Sequence, residues 1–170
     1  QCVLDGETDG NQLVTITAAA LGHTAGSDLL VVTDWLGPDL VVRNIIVPPV
    51  VEAGTNFPVR FTVVNQGFGD ATNGFTQSIY ISPDPHLGDD LLAGSAGYRG
   101  PLKGQIAQST QTRAPWEPGE YWVIVVADAT NGVREVVEHD NVTIAGPMLV
   151  AGAYTAAIEC GATRLVAGAA

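Results

Sequence analysis

The chain has 170 residues, 46% of them hydrophobic and 15% charged, with seven Lys and Arg against eighteen Asp and Glu and a formal net charge of −11. That length suits one domain with flanks, or two very small domains, and can bury a core without a metal or a disulfide. The charge balance excludes nucleic acid and anionic membrane surfaces, which need clustered Lys and Arg, while it supplies carboxylates for divalent cations, calcium above all.

No run approaches the ~18 apolar residues of a membrane span, so no membrane insertion is expected. The chain opens Gln1-Cys2 without a Met or a signal-peptide pattern, as expected of a processed chain or of a piece of a longer one. Twenty Gly and ten Pro cut the sequence into short β-branched runs. None sustains a 3.6-residue apolar period, so the chain reads as all-β.

In chain order, a polar stretch from Asp5 to Asn11 leads into Leu13 to Ala18, which alternates as a strand does. A turn from Gly22 to Ser27 and a return strand from Leu29 to Thr33 complete a hairpin. A lone hairpin is barely stable in water and must dock on something. Asp34-Trp35-Leu36-Gly37-Pro38 reads as a junction. Strands are then expected from Asp39 to Val47, Phe57 to Asn65, Phe75 to Ser82, Leu91 to Ala96, Gln105 to Arg113, Glu120 to Asp128 and, briefly, Val133 to Val137. About seven strands at this spacing, broken by turn signals such as Pro48-Pro49 and Pro118-Gly119, fit an immunoglobulin-like sandwich of two sheets. Val59, Phe61 and Val63 should face inward. Tyr121 to Val126 is nearly continuous, as in a buried central strand, and Trp122 is expected in the core. Met148 to Ala151 and Arg164 to Ala167 read as further strands, surplus to the sandwich. The chain therefore divides into an N-terminal strand arm at 1–37, a sandwich at 38–146 and a C-terminal strand arm at 147–170.

Enzymatic motifs are absent: there is no G-x-S-x-G, Walker loop, H-E-x-x-H or C-x-x-C. His23, His86 and His139 fall in predicted turns and read as solvent-exposed. Two acidic groups offer calcium chemistry: Asp84, Asp89 and Asp90 in one loop, and Asp128, Glu138 and Asp140, with Glu135 and Asn141, in the closing segment. The plainer reading is that Asp and Asn are there as turn formers. Cys2 and Cys160 sit near opposite ends. They suit a disulfide within the chain, a bond between subunits, or two free thiols. Asn141-Val142-Thr143 is a formal glycosylation sequon, usually unused in a bacterial chain. Trp35, Trp116 and Tyr98 in exposed loops keep carbohydrate open as a ligand.

Four stretches carry a family resemblance: Pro38-Asp39-Leu40-Val41-Val42; Val63-Val64-Asn65-Gln66-Gly67; Ile79 to Asp84 followed by Gly88-Asp89-Asp90-Leu91-Leu92; and Pro118-Gly119-Glu120-Tyr121 with Val126-Ala127-Asp128, Asn131, Val133, Glu135, Glu138 and Asn141. In this order the block resembles a CARDB domain, the "cell adhesion related" family of immunoglobulin-like sandwiches. The Asp84 to Asp89 loop is shorter than the family's, and Asp140 replaces the first of a closing Asn pair. The N-terminal arm resembles the last hairpin of an immunoglobulin-like repeat of bacterial surface proteins. The resemblances imply an extracellular or cell-surface tandem module for adhesion, spacing or assembly, with no catalysis. Free apolar arms aggregate unless they pair with a sheet. Strand addition between copies would make a head-to-tail homopolymer, a filament subunit. The alternatives are a second small domain, or a fragment of tandem repeats serving as a binding or spacer module of a larger adhesin or hydrolase.

Overall fold

The computed structural model of the chain describes residues 12–32 and 36–152. Ten strands are found among them, and no helix. They are β1 (Gln12–Ala18), β2 (Gly26–Val32), β3 (Leu40–Ile46), β4 (Val50–Glu52), β5 (Asn56–Asn65), β6 (Phe75–Ser82), β7 (Leu91–Tyr98), β8 (Gln105–Arg113), β9 (Gly119–Val126) and β10 (Val142–Ala151). A five-stranded sheet in the order β4-β10-β9-β6-β7 packs on a three-stranded sheet, β3-β5-β8, while β1 and β2 form a two-stranded sheet of their own.

Period-two alternation builds the core. In β5, Phe57, Val59, Phe61 and Val63 all point inward and are buried. They meet Phe75, Ile79 and Ile81 of β6 and Val123 and Val125 of β9. Strand β9 lies between β10 and β6 and is covered on both faces: Ile124, on the outer face, has no solvent exposure. This is why its sequence runs without polar interruptions. The inward parity, however, belongs to Tyr121, Val123 and Val125. Trp122, expected in the core, is half-buried on the outer face, paired with Ser82.

The closing strand also departs from expectation. Val133 to Val137 forms no strand. Burial of Val133 and Glu135 imitates alternation, but the backbone N–H groups of this segment are bound by loop and side-chain oxygens instead of a ladder. The strand that closes the sandwich is β10, which crosses the boundary expected at 146/147. Gly146-Pro147 looks like a break in sequence because proline cannot donate to a ladder. Here it forms a bulge in a continuous strand. Before the bulge Thr143 and Ala145 face inward; after it Met148 and Val150 do. A bulge adds one residue and so reverses the parity. Met148 and Val150 are fully buried, so the start of the expected C-terminal arm is the last strand of the sandwich. Its far side pairs in parallel with β4, an element too short to be read from alternation.

The inward position of Met148 makes a sharp contrast with its neighbour. Met148→Ala should lower unfolding stability by about 2–5 kcal/mol in urea titration, as expected for a core truncation. Leu149→Ala, at a position 45% exposed, should cost no more than about 1 kcal/mol.

Candidate functional site

Asn65, Gly67, Asp128, Glu135 and Asn141 of the family pattern gather at one end of the sandwich, where the ladders stop and backbone groups need other partners. Asn65 ends β5. Its Nδ2 donates to the carbonyls of Gly69 (2.8 Å) and Leu102 (2.9 Å), and its Oδ1 accepts from the N–H of Asp39 (3.0 Å) and Gly67 (3.1 Å). One buried amide thus uses its whole hydrogen-bonding capacity to join three loops. Gly67 is required there, because a Cβ would lie 2.4 Å from the Gly37 carbonyl oxygen and 2.7 Å from the Asp39 nitrogen.

Asp128 terminates β9 in the left-handed region, at φ 38°. Its carboxylate accepts from the N–H of Gly132 (2.9 Å) and Val133 (2.7 Å), folding the loop back over the strand end. Glu135 is 3% exposed. It accepts from the N–H of Leu40, at the start of β3, and from Asn141 Nδ2 (2.8 Å), just before β10. Glu138 in turn accepts from the Glu135 N–H (2.8 Å). Glu135 therefore holds the first and last strands of the sandwich together from a segment that belongs to neither. Burial, reinforced by the neighbouring charges of Glu138 and Asp128, pushes the Glu135 carboxyl up from 4.5 to about 7, against the pull of its two hydrogen bonds.

Beside this cluster, Gln66 Nε2 donates to both Asp39 Oδ2 (3.0 Å) and Asp140 Oδ2 (3.2 Å), while its Oε1 accepts from Arg43 (2.8 Å). Partial burial, and then the charge of Asp39, raise the Asp140 pKa. Asp39 was not among the ligands expected from sequence. Its place in the opening Pro-Asp-Leu motif was the only signal.

The other acidic group is elsewhere. Antiparallel pairing of β6 with β9 sets Ser78 beside Val126 and Ser82 beside Trp122. The loop after Ser82 therefore lies at the opposite end of the sheet from the segment after Val126, and the six expected calcium ligands divide between two ends. In that loop Asp84 Oδ1 accepts from the His86 N–H (3.0 Å), and Asp90 Oδ2 from the Gly88 N–H (2.8 Å); Asp89 is exposed. These are turn-forming bonds on an exposed loop. Among the described residues no three His, Cys, Asp or Glu side chains converge as a metal site.

The remaining expected residues divide similarly. His23, His86 and His139 are exposed, as read from their turns. The sequon residue Asn141 is buried, and Thr143 Oγ1 donates to the Val42 carbonyl (2.8 Å). Trp116 is 69% exposed, with the Arg113 guanidinium 4.6 Å from its ring centre. Tyr98 packs against the core and donates to the Pro101 carbonyl. Trp35, Cys2, Cys160 and the strand expected at Arg164 to Ala167 lie outside the described residues.

The β1–β2 hairpin exposes apolar side chains on both faces. Its register places Leu13, Leu29 and Val31 on one face and Val14, Ile16 and Leu30 on the other. All six are at least 41% exposed. The sandwich also has an uncharged edge: β7 reads Leu-Leu-Ala-Gly-Ser-Ala-Gly-Tyr and pairs with β6 alone. Edge strands ordinarily carry a Lys, a Pro or an inward charge that discourages pairing, and β7 has none.

The model of the CARDB family matches residues 37–145. The chain belongs to the CARDB family. Among solved structures it is similar to the CARDB domain of a Pyrococcus furiosus protein, crystallised in complex with di-metal ions, at 22% identity and a TM-score of 0.52, covering 71% of this chain and 97% of that one. A solution NMR structure of the Pyrococcus furiosus domain gives 22% identity and a TM-score of 0.51, with 69% and 97% covered. These likenesses speak for the immunoglobulin-like sandwich. No curated protein matches. CARDB is a non-catalytic, adhesion-related family of modules associated with bacterial cell-surface proteins. No helix among the described residues is long and apolar enough to cross a membrane. The CARDB signature residues here, Asn65, Gly67, Asp128, Glu135 and Asn141, serve as internal struts of the module.

Glu135 makes the stability of this CARDB domain depend on pH. A carboxyl whose pKa is higher folded than unfolded favours folding when protonated. Its contribution is complete below 4.5 and is lost as pH rises through about 7. In chelator-containing buffer, unfolding stability should therefore fall between pH 5 and pH 8, by up to about 3 kcal/mol from this group. Glu135→Gln, which cannot ionise, should flatten that slope. A slope unchanged in the variant would show that the dependence arises elsewhere.

Proposed function

We propose that this CARDB protein is a non-catalytic extracellular module that assembles with copies of itself, its N-terminal hairpin adding to the sheet of a neighbour. The observation that carries the reading is the hairpin: two paired strands with large apolar side chains exposed on both faces. An isolated two-stranded sheet is marginal in water, and apolar surface of this kind is characteristic of an interaction site. The receiving edge in this reading is β7, whose free backbone groups and lack of charge suit strand addition. Donor and acceptor are different surfaces of the same chain. Such a contact is heterologous and propagates head to tail, unless a rotation closes it into a ring.

The domain division fits the same reading. The hairpin at the N-terminal side acts as the connector and the sandwich as the rigid body. The second reading, a spacer or ligand-binding module within a larger adhesin or hydrolase, draws on the same hairpin as the end of a preceding repeat.

Size-exclusion chromatography with light scattering, together with negative-stain microscopy, distinguishes the two. Assembly should grow with concentration in the wild-type chain and disappear in Leu29→Asp and in Ser95→Lys, which place charges on the hairpin and on the exposed β7 edge. A wild-type chain that stays monomeric at millimolar concentration would overturn self-assembly in favour of the spacer reading.

A further inference from the structure

Asp39 and Asp140 are two carboxylates that share a single side-chain donor. Both carboxylates converge on one nitrogen, Gln66 Nε2, which spends its two hydrogens on their Oδ2 atoms. The Arg43 guanidinium is hydrogen-bonded to Gln66 Oε1. Neither carboxylate forms an ion pair among the described residues. Asp39 is 8% exposed, and its Oδ1 is buried with no hydrogen-bond partner; the Oδ1 of Asp140 is likewise buried and unpartnered. An unpartnered buried carboxylate oxygen is costly, and two carboxylates drawn to one donor compound that cost. A cation would relieve it.

We propose that Asp39 and Asp140 together bind a hard divalent cation of the calcium class through their free Oδ1 atoms. Two carboxylates do not make a closed cage, so water on the half-exposed Asp140 side completes the coordination. Calcium tolerates such irregular, oxygen-only shells, whereas magnesium demands octahedral geometry and gives up its water reluctantly. A site with so few protein ligands belongs to the weak, extracellular range of calcium affinities, about 0.1–1 mM.

The location gives the cation a structural role. Asp39 immediately precedes β3, and its carbonyl accepts from the Gln66 N–H (2.8 Å). Asp140 lies just before β10. Upstream of Asp39, the Pro38 carbonyl accepts from the Val136 N–H (2.9 Å), and the Gly37 carbonyl accepts from the Gly69 N–H (3.0 Å). The cation thus sits where the chain passes from the hairpin into the sandwich, and it ties that junction to the first and last strands. This inference rests on the two aspartates alone, and it stands or falls independently of self-assembly.

The test uses the full chain, stripped with chelator and then titrated with CaCl2 or MgCl2 at constant ionic strength and pH 7.5. With 10 mM calcium the melting temperature should rise by about 3–6 °C, and by less with magnesium. In 15N-labelled protein, the amide signals of Leu40, Gln66 and Asn141 should move during the titration while those of residues 84–90 stay in place. Asp140→Asn, and separately Asp39→Asn, should abolish both responses. Asp84→Asn in the opposite loop should keep them. Should Asp39→Asn fail to fold, the half-exposed Asp140→Asn carries the test. No calcium response at 10 mM would overturn the site. A response that persists in Asp140→Asn, or that moves the 84–90 signals instead, would overturn it as well.

Discussion

The burial of Glu135 beneath the start of β3 is the constraint on which this end of the sandwich depends. Two sheets can stack on apolar contacts alone, but their ends cannot be sealed that way. Where a ladder stops, backbone N–H groups are left over, and in the interior they must be bonded. Glu135 takes up the first N–H of β3 and the amide of Asn141 before β10. Asn65 does the same for the loops that follow β5 and precede β3. Desolvation makes the ionised form of Glu135 expensive, yet both of its bonds favour that form. The strut is therefore polar, specific and sensitive to pH.

This division of labour separates the scaffold from the working surfaces. The most distinctive side chains of the sequence are used internally, at the end where the chain passes into the sandwich. The features turned outward are plainer: an apolar hairpin, an uncharged β7 edge and an exposed turn at Asp84 to Asp90.

Much of the sandwich was legible in the sequence, and the errors have identifiable causes. Strands β5, β6 and β8 could be read to within a residue, because alternation and flanking turn residues agree there. Strand β10 could not, since Gly146-Pro147 signals termination locally while the pairing with β9 carries the strand through as a bulge. Val133 to Val137 alternates in burial without being a strand. Trp122 was assigned inward because a strand buried on both faces has no polar parity to reveal which side is which. The acidic residues could be counted, but the division of Asp84 and Asp90 from Asp128 and Asp140 between two ends follows from the antiparallel register of β6 and β9. The pairing of Asp39 with Asp140 spans a hundred residues, and no local pattern announces it.

The sequence by itself therefore determined the all-β class, the approximate limits of most strands, the CARDB pattern and the strongly acidic composition. These follow from local rules: side-chain period, turn chemistry and composition. Only the tertiary structure decided which carboxylates are buried, which oxygens lack partners, and which apolar runs are core and which are exposed. Those properties depend on the proximity of distant segments, and a carboxylate or a leucine has no fixed role until its neighbours have set its access to water.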